Sequence, residues 1–205
     1  ADRILYALRD VTGTVESLPL IVSSILSKKF AEGTQGLVID FKAGNGAFFQ
    51  SKKEARHAAR TLVKVGNRLG IRTHALLTQM EQPLGTTIGN TLEVLESVEI
   101  LTGERFLNTS LEPDDTIQLT LELAAQMLVV GKICKSTQDG LRLATKRLQD
   151  GSAWEKFCEM VHLHQGKPRS LKDFKKLAIA KKVVPLRAHR AGVLSSIDCY
   201  RLGNA

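Results

Sequence analysis

An alternation of short apolar runs with segments of helical periodicity constrains the fold more than any other feature of the chain. The predicted elements are a strand (36–41), a helix (51–70), a strand (71–78) and a helix (91–103). Ser51 and Glu54 form a capping box, which predicts the start of the first of these helices. Such an order is typical of parallel sheets. The sequence therefore predicts an α/β fold, with a mostly parallel sheet and helices on both faces.

Further elements are predicted on either side of this alternation. Helical periodicity predicts helices at 15–31, 114–131, 137–151 and 152–166. Near the end of the chain, residues 181–189 and 191–198 predict two short strands around a glycine turn.

The net charge of +8 is concentrated in one segment of the 205-residue chain. Residues 167–190 hold nine Lys and Arg but a single acid, Asp173, so this segment alone has a net charge of +8. Basic segments can bind nucleic acid. This one has a single aromatic residue, Phe174, and no nucleic-acid motif. We interpret it as a solvated surface or a face for an acidic partner, and expect no nucleic-acid binding.

The cysteines and the apolar runs indicate the compartment. Cys134, Cys158 and Cys199 are far apart and form no CxxC pair, which favours a reducing cytoplasm over a disulfide framework. No cysteine or histidine cluster has the spacing of zinc ligands. No apolar run approaches the roughly 20 residues that cross a bilayer, so we expect no membrane partner.

Polar residues interrupt the apolar helix predicted at 15–31. Ser24 and Lys28 are four residues apart and therefore share one helix face. Together with Arg9 they could hold a planar ligand that carries carbonyl oxygens, because arginine and lysine donate hydrogen bonds and serine donates or accepts. The alternative is that Lys28 simply extends from the helix end into solvent.

Two glycine-containing loops are weaker indications of a site. KAGNGAF (42–48) joins a strand to a helix and could turn its N–H groups toward an anion, or be only a tight turn. QPLGTTIGNTLEVLE (82–96) could offer carbonyls and a carboxylate to a cation. A plain loop before a surface helix explains it equally.

Three segments together resemble the thymidine and pyrimidine-nucleoside phosphorylases. They are YALRDVTGTVESLPLIVSSILSKKFAEG, DFKAGNGAF and ALLTQMEQPLGTTIGNTLEVLE, in the order and spacing of that family. The similarity is strongest over residues 1–104. These pentosyltransferases cleave a pyrimidine nucleoside with phosphate to the free base and a pentose 1-phosphate. The resemblance implies this activity and a nucleoside phosphorylase-like α/β fold.

The resemblance also implies site residues. The family's base-binding arginine, serine and lysine match Arg9, Ser24 and Lys28, and a nearby tyrosine matches Tyr6. Its monovalent cation, such as potassium, is held in part by two carbonyls and a carboxylate, which match those of Leu84, Thr87 and Glu96, with Thr87 in place of a usual alanine. The other ligands of the ion have no counterpart here. Phosphate is the co-substrate, and no organic cofactor is implied.

The resemblance further implies three parts and an assembly. Residues 1–32 match a segment of a small all-α domain, 33–179 part of the α/β catalytic domain, and 180–205 the start of a C-terminal α+β domain. The family forms homodimers. Its phosphate-binding loop, of the form KHSTGGVGD, has no counterpart here. We therefore expect no catalytic residue in this chain, and no turnover by the chain alone.

The chain departs from the family pattern at several positions. Ala43 and Asn45 replace the commoner valine and serine, and Gln79 and Glu81 stand where aspartate and asparagine are usual. Two alternatives therefore stay open. One is a phosphorylase of another nucleoside or of a nucleotide such as AMP, and the other is a non-catalytic binding or structural fragment.

Overall fold

A computed structural model describes residues 2–105, 114–167, 180 and 182–204. The strands are β1 (Gly36–Ala43) and β2 (Arg72–Gln79). The helices are α1 (Asp2–Val11), α2 (Leu18–Ala31), α3 (Lys52–Arg68), α4 (Asn90–Thr102), α5 (Asp115–Val130), α6 (Thr137–Gln149), α7 (Ser152–Leu163) and α8 (Cys199–Gly203). None of the described helices is long and apolar enough to cross a bilayer.

The two strands pair in parallel, and α3 connects them. The register runs from Gly36 opposite Arg72 to Ala43 opposite Gln79. A parallel pair needs such a crossover connection, since a tight turn would reverse the chain. The predicted α/β class and parallel sheet are thereby confirmed, with two strands in the described part of the chain.

Helices cover both faces of this sheet. On one face, Phe41 and Ala43 join a core cluster with α2 and α3, to which Leu62 of α3 contributes. On the other face, His74 Nδ1 lies 3.2 Å from Gln126 Oε1 of α5. At the start of β2, Arg72 Nε donates to the Val130 carbonyl of the same helix at 2.9 Å. The sheet therefore lies between α3 and α5, as the sequence predicts.

Helix α3 begins where the capping box places it. The Ser51 side chain accepts a hydrogen bond from the N–H of Lys53 at 3.3 Å. The buried face of the helix consists of small residues and one leucine: Ala55, Ala58, Ala59, Leu62 and Gly66. Small side chains bring the helix axis close to the sheet, because little volume separates the two backbones.

Helix α2 is apolar nearly all round because two of its sides are apolar for different reasons. Val22 and Leu26 are buried in the core cluster beside α3. Ile21 lines an open cleft on another side. Ile25 lies between the two sides, since it lines the cleft and also packs against the core cluster. The sequence pattern indicates burial of this helix, and burial is complete on the core side alone.

The two strands predicted near the end of the chain are wrong. Residues 182–198 form no regular element, and α8 follows them. Leu186 is 99% exposed and Val193 95% exposed, so these apolar side chains pack against no layer within the described part of the chain. Pro185 also lacks the N–H that a strand needs for its hydrogen bonds to a neighbouring strand.

Most of the predicted basic segment, 168–179 and 181, lies outside the described residues. The predicted domain boundaries stay predictions.

Candidate functional site

A cleft of about 530 Å³ lies between helices α1 and α2 and the second half of β1 with its following loop. Tyr6, Arg9, Ser24 and Lys28, the four residues predicted to bind a base, all line it. The structure therefore brings the four side chains together. Their role in binding stays a prediction.

Arg9 is held in place by the loop that follows α1. Its Nη2 donates to the carbonyl of Val15 at 2.6 Å and to that of Thr14 at 3.2 Å, and Nε donates to Thr14 at 3.4 Å. The guanidinium also lies 5.6 Å from the centre of the Tyr6 ring, within cation–π range. These contacts use Nε and Nη2, while Nη1 carries two further N–H donors. The loop thus orients the arginine before any ligand arrives.

Ser24 and Lys28 reach the cleft from one face of α2, as their spacing predicts. Lys28 lies in the last turn of this helix. A cation there is stabilised by the negative end of the helix dipole.

The glycine loop after β1 forms an aromatic wall of the cleft. Gly44 has φ +135°, and a Cβ there would lie 2.7 Å from the Met80 carbonyl carbon, so glycine is required. The close approach continues with Gly46, whose N–H donates to the Met80 carbonyl at 3.1 Å. Phe48 and Phe49 follow, with ring centres 5.0 Å apart, and both line the cleft. Such rings suit a planar, partly apolar ligand.

The sequence analysis does not predict a second group of polar side chains that lies at the cleft. Lys42 Nζ lies 2.6 Å from Asp40 Oδ2 and donates to Thr78 Oγ1 at 3.3 Å. Thr78 in turn donates to the other oxygen of Asp40. Asp40 and Lys42 both line the cleft. The signal available in the sequence is the i,i+2 pair in DFK at the end of a strand, which places both side chains on one face.

Two departures from the family pattern contact each other. Asn45 of the glycine loop donates from Nδ2 to Glu81 Oε2 at 3.1 Å and to the Glu81 carbonyl at 3.3 Å. Its side chain also joins the last segment of the chain, donating to the Ile197 carbonyl and accepting from the Cys199 N–H, both at 3.0 Å. Asn45 therefore ties together the two loops that follow β1 and β2 and the start of α8.

Of the three residues predicted to hold a cation, Thr87 and Glu96 are in contact, and the role of the Leu84 carbonyl stays a prediction. The Glu96 side chain on α4 is buried and accepts hydrogen bonds from Thr87 Oγ1 and from the N–H and Oγ1 of Thr86. Arg105 Nη2 lies 2.7 Å from Glu96 Oε1. Burial by itself raises the pKa of Glu96, but these hydrogen bonds and the Arg105 charge outweigh it and hold the pKa below its usual value. Leu84 is half-exposed and lines a different cavity.

The donors around Glu96 leave little room for a potassium ion. Thr86 N–H and Thr86 Oγ1 donate to Glu96 Oε1, Thr87 Oγ1 donates to Oε2, and the Arg105 guanidinium pairs with Oε1 at 2.7 Å. The guanidinium also brings a positive charge that would repel a second cation. The contacts of Glu96 in this structure therefore do not fit the ion.

Comparison with known proteins gives one family. The family model described as "Glycosyl transferase family, a/b domain" matches residues 1–154. A pyrimidine-nucleoside phosphorylase of Bacillus subtilis is 40% identical over 205 residues, which is 100% of this chain and 46% of the relative. A thymidine phosphorylase of Mycobacterium tuberculosis is 44% identical over 206 residues, 100% of this chain and 44% of the relative. The chain therefore spans less than half the length of these curated relatives.

Proposed function

Because the chain belongs to the glycosyl transferase family whose a/b domain matches residues 1–154, we propose that it provides the base-binding site of a pyrimidine-nucleoside phosphorylase. The observation that carries the proposal is the cleft that Tyr6, Arg9, Ser24 and Lys28 line together. The names of the relatives in Bacillus subtilis and Mycobacterium tuberculosis support the same activity.

In the proposed reaction the bond between the sugar C1′ and the base nitrogen breaks, and its electron pair goes to the base. An oxygen of inorganic phosphate forms the new bond to C1′, giving a pentose 1-phosphate. Negative charge then grows on the two carbonyl oxygens of the pyrimidine ring. Arg9 and Lys28 offer cationic donors there, and removal of one such donor in other enzymes costs about 10²–10³ in rate.

The remaining walls of the cleft suit the rest of the substrate. A planar base in the cleft would contact three aromatic rings, those of Phe48, Phe49 and Tyr6. Lys42 is fixed by Asp40 and Thr78, and two of its three N–H groups go to them. We assign its third N–H to an oxygen of the bound substrate.

The proposal includes the partners that the resemblance implies. Inorganic phosphate is the second substrate, the complete enzyme is a homodimer, and it works in the cytoplasm without an organic cofactor. Neither a membrane nor a nucleic acid is a partner. Phosphate would bind to groups of the complete enzyme outside this chain, so the chain alone binds the base and does not turn over.

The direct test is calorimetric titration of the chain with thymine and with uracil. Lys28→Met should weaken binding by about 10- to 100-fold, since a hydrogen bond from a charged group contributes about 1.5–3 kcal/mol. Lys29→Met is the matched control, because Lys29 lies on the surface, 2.9 Å from Glu32. Equal effects of the two substitutions would contradict the proposed base site.

Turnover separates the proposal from its alternatives. The chain replaces its matching segment in the Bacillus subtilis relative, and this joined enzyme is assayed with thymidine, uridine and AMP, each with and without phosphate. Phosphate-dependent release of thymine or uracil supports the proposal, and release from AMP alone favours the nucleotide alternative. If no base binds and nothing turns over, while DNA binds with a steep salt dependence, the non-catalytic alternative replaces it.

A further inference from the structure

Arg105 occupies the centre of a buried charge cluster beside the 82–89 loop. Its Nη2 lies 2.7 Å from Glu96 Oε1 and donates to Thr86 Oγ1 at 3.1 Å. Its Nε donates to the carboxylate of Asp114. The side chains of Arg105, Glu96 and Asp114 are only 10%, 6% and 7% exposed. The guanidinium therefore neutralises two carboxylates that water cannot solvate well.

The same cluster connects three elements of the fold. Glu96 lies on α4, Thr86 lies in the loop before that helix, and Asp114 is the N-cap of α5. The Asp114 carboxylate accepts hydrogen bonds from the N–H groups of Thr116 and Ile117, and it also forms an ion pair with Arg105. A planar fork of donors can bridge these groups at fixed angles. Arg105 thereby fixes the 82–89 loop to both helices.

We infer that the Arg105 guanidinium takes the place of the monovalent cation that the resemblance implies at Glu96, so that the loop is held without potassium. A tethered cation is present at every potassium concentration, whereas a bound ion must be captured from solution. The inference rests on the contacts of Glu96 and not on the proposed reaction, so either one can fail while the other stands.

One oxygen beside the cluster is a candidate ligand for an ion. Thr116 Oγ1 is buried without a hydrogen-bond partner, and a Cβ on Gly85 would lie 2.7 Å from it. A hard cation takes several oxygens, however, and prefers carboxylates and carbonyls. The Glu96 carboxylate beside Gly85 is already paired with Arg105, and Thr116 Oγ1 brings no charge of its own. A neutral hydroxyl next to a guanidinium is a poor site for potassium.

The test uses the joined enzyme, in which the family's other cation ligands are present, and compares potassium chloride with choline chloride at equal ionic strength. The thermal unfolding midpoint is the readout. A site filled tenfold above its dissociation constant would raise the midpoint by roughly 3–6 °C. We expect the same midpoint in both salts for the joined enzyme with Arg105 unchanged. Arg105→Gln should unfold at a lower temperature in choline and recover part of the loss in potassium. Arg142→Gln, which breaks an exposed pair with Asp139, should respond equally to both salts.

Titration of the joined enzyme with thallium, with Arg105 unchanged, followed by thallium NMR, decides the question even if the Arg105 variant does not fold. Thallium(I) has nearly the size and charge of potassium. Absence of a saturable site supports the inference. A saturable site that potassium displaces, or a potassium-specific rise in the midpoint of the unchanged joined enzyme, overturns it. So does an Arg105→Gln variant as stable as the unchanged joined enzyme in both salts.

Discussion

Gly66 marks a close approach between α3 and the sheet that supports the cleft, and Gly66→Ala tests that packing. A Cβ at position 66 would lie 2.3 Å from Oγ1 of Thr73 on β2, and 3.0 Å from its Cβ. Both residues are buried, so the new methyl group cannot turn toward solvent. The helix must instead move away from the strand, or Thr73 must leave its position.

The size of the effect follows from two opposing terms. Alanine is favoured over glycine inside a helix by about 0.8–1 kcal/mol. Overpacking of a core costs about 1–3 kcal/mol, and a 2.3 Å approach to Thr73 places this site at the upper end. We therefore expect Gly66→Ala to lower the free energy of unfolding by about 2 kcal/mol. For a chain of this length the unfolding midpoint falls by roughly 4–8 °C.

A double-mutant cycle isolates the clash from other effects. Thr73→Ala removes Oγ1 and Cγ2, and alone costs about 1 kcal/mol because the hydroxyl donates to the Ile71 carbonyl at 2.9 Å. In that background Gly66→Ala should cost about 2 kcal/mol less than in the unchanged chain, since the atom it meets is gone. Urea unfolding with a constant m-value measures all four proteins. Gly192→Ala is the control, because nothing lies within 4 Å of a Cβ there. The packing argument fails if Gly66→Ala costs the same in both backgrounds.

Three further predictions concern the cleft and its supports. Lys42→Met should lower phosphorolysis by the joined enzyme about 10- to 100-fold, because a charged donor is lost, whereas Lys53→Met on the exposed face of α3 should not. The pKa of Glu96 is lowered below 4.5 in the folded chain, so Glu96 adds stability above that pH and loses it as the pH falls through the folded pKa. Urea midpoints across acidic pH should therefore fall less steeply for Glu96→Gln, and an unchanged slope would contradict this. Asn45→Ala should speed proteolysis near residues 190–198 several-fold, while Gln50→Ala should not.

Local periodicity predicts the elements of this chain well, and it cannot predict how they touch. The alternation of strands and helices between 36 and 103 follows from the apolar pattern, which reflects which side of each element is buried. The contact between Gly66 and Thr73 depends on the distance from α3 to β2, which no single-element pattern contains. The failed strands at 182–198 show the same limit, since an apolar pattern needs a partner layer before it becomes a strand.

In the candidate site, too, local spacing predicts some positions, and contacts between elements decide the others. Spacing alone places Ser24 and Lys28 on one face, while the position of Arg9 depends on the loop contacts to Thr14 and Val15. The family resemblance, and not the spacing, predicts that Arg9 joins them. Lys42 meets Thr78 because the register sets these residues opposite each other in neighbouring strands, and register cannot be read from either strand alone.

The departures from the family pattern at positions 45 and 81 have a simpler meaning in the structure than in the sequence. Taken one at a time, each could indicate a changed substrate or a lost activity. Asn45 and Glu81 bond to each other, and through Asn45 to Ile197 and Cys199, so the two substitutions form one contact between loops. Neither of them lines the cleft, where Arg9 and the other predicted base-binding residues are retained. The departures therefore alter how the glycine loop is anchored rather than which groups face the cleft, and this is consistent with the proposed chemistry there.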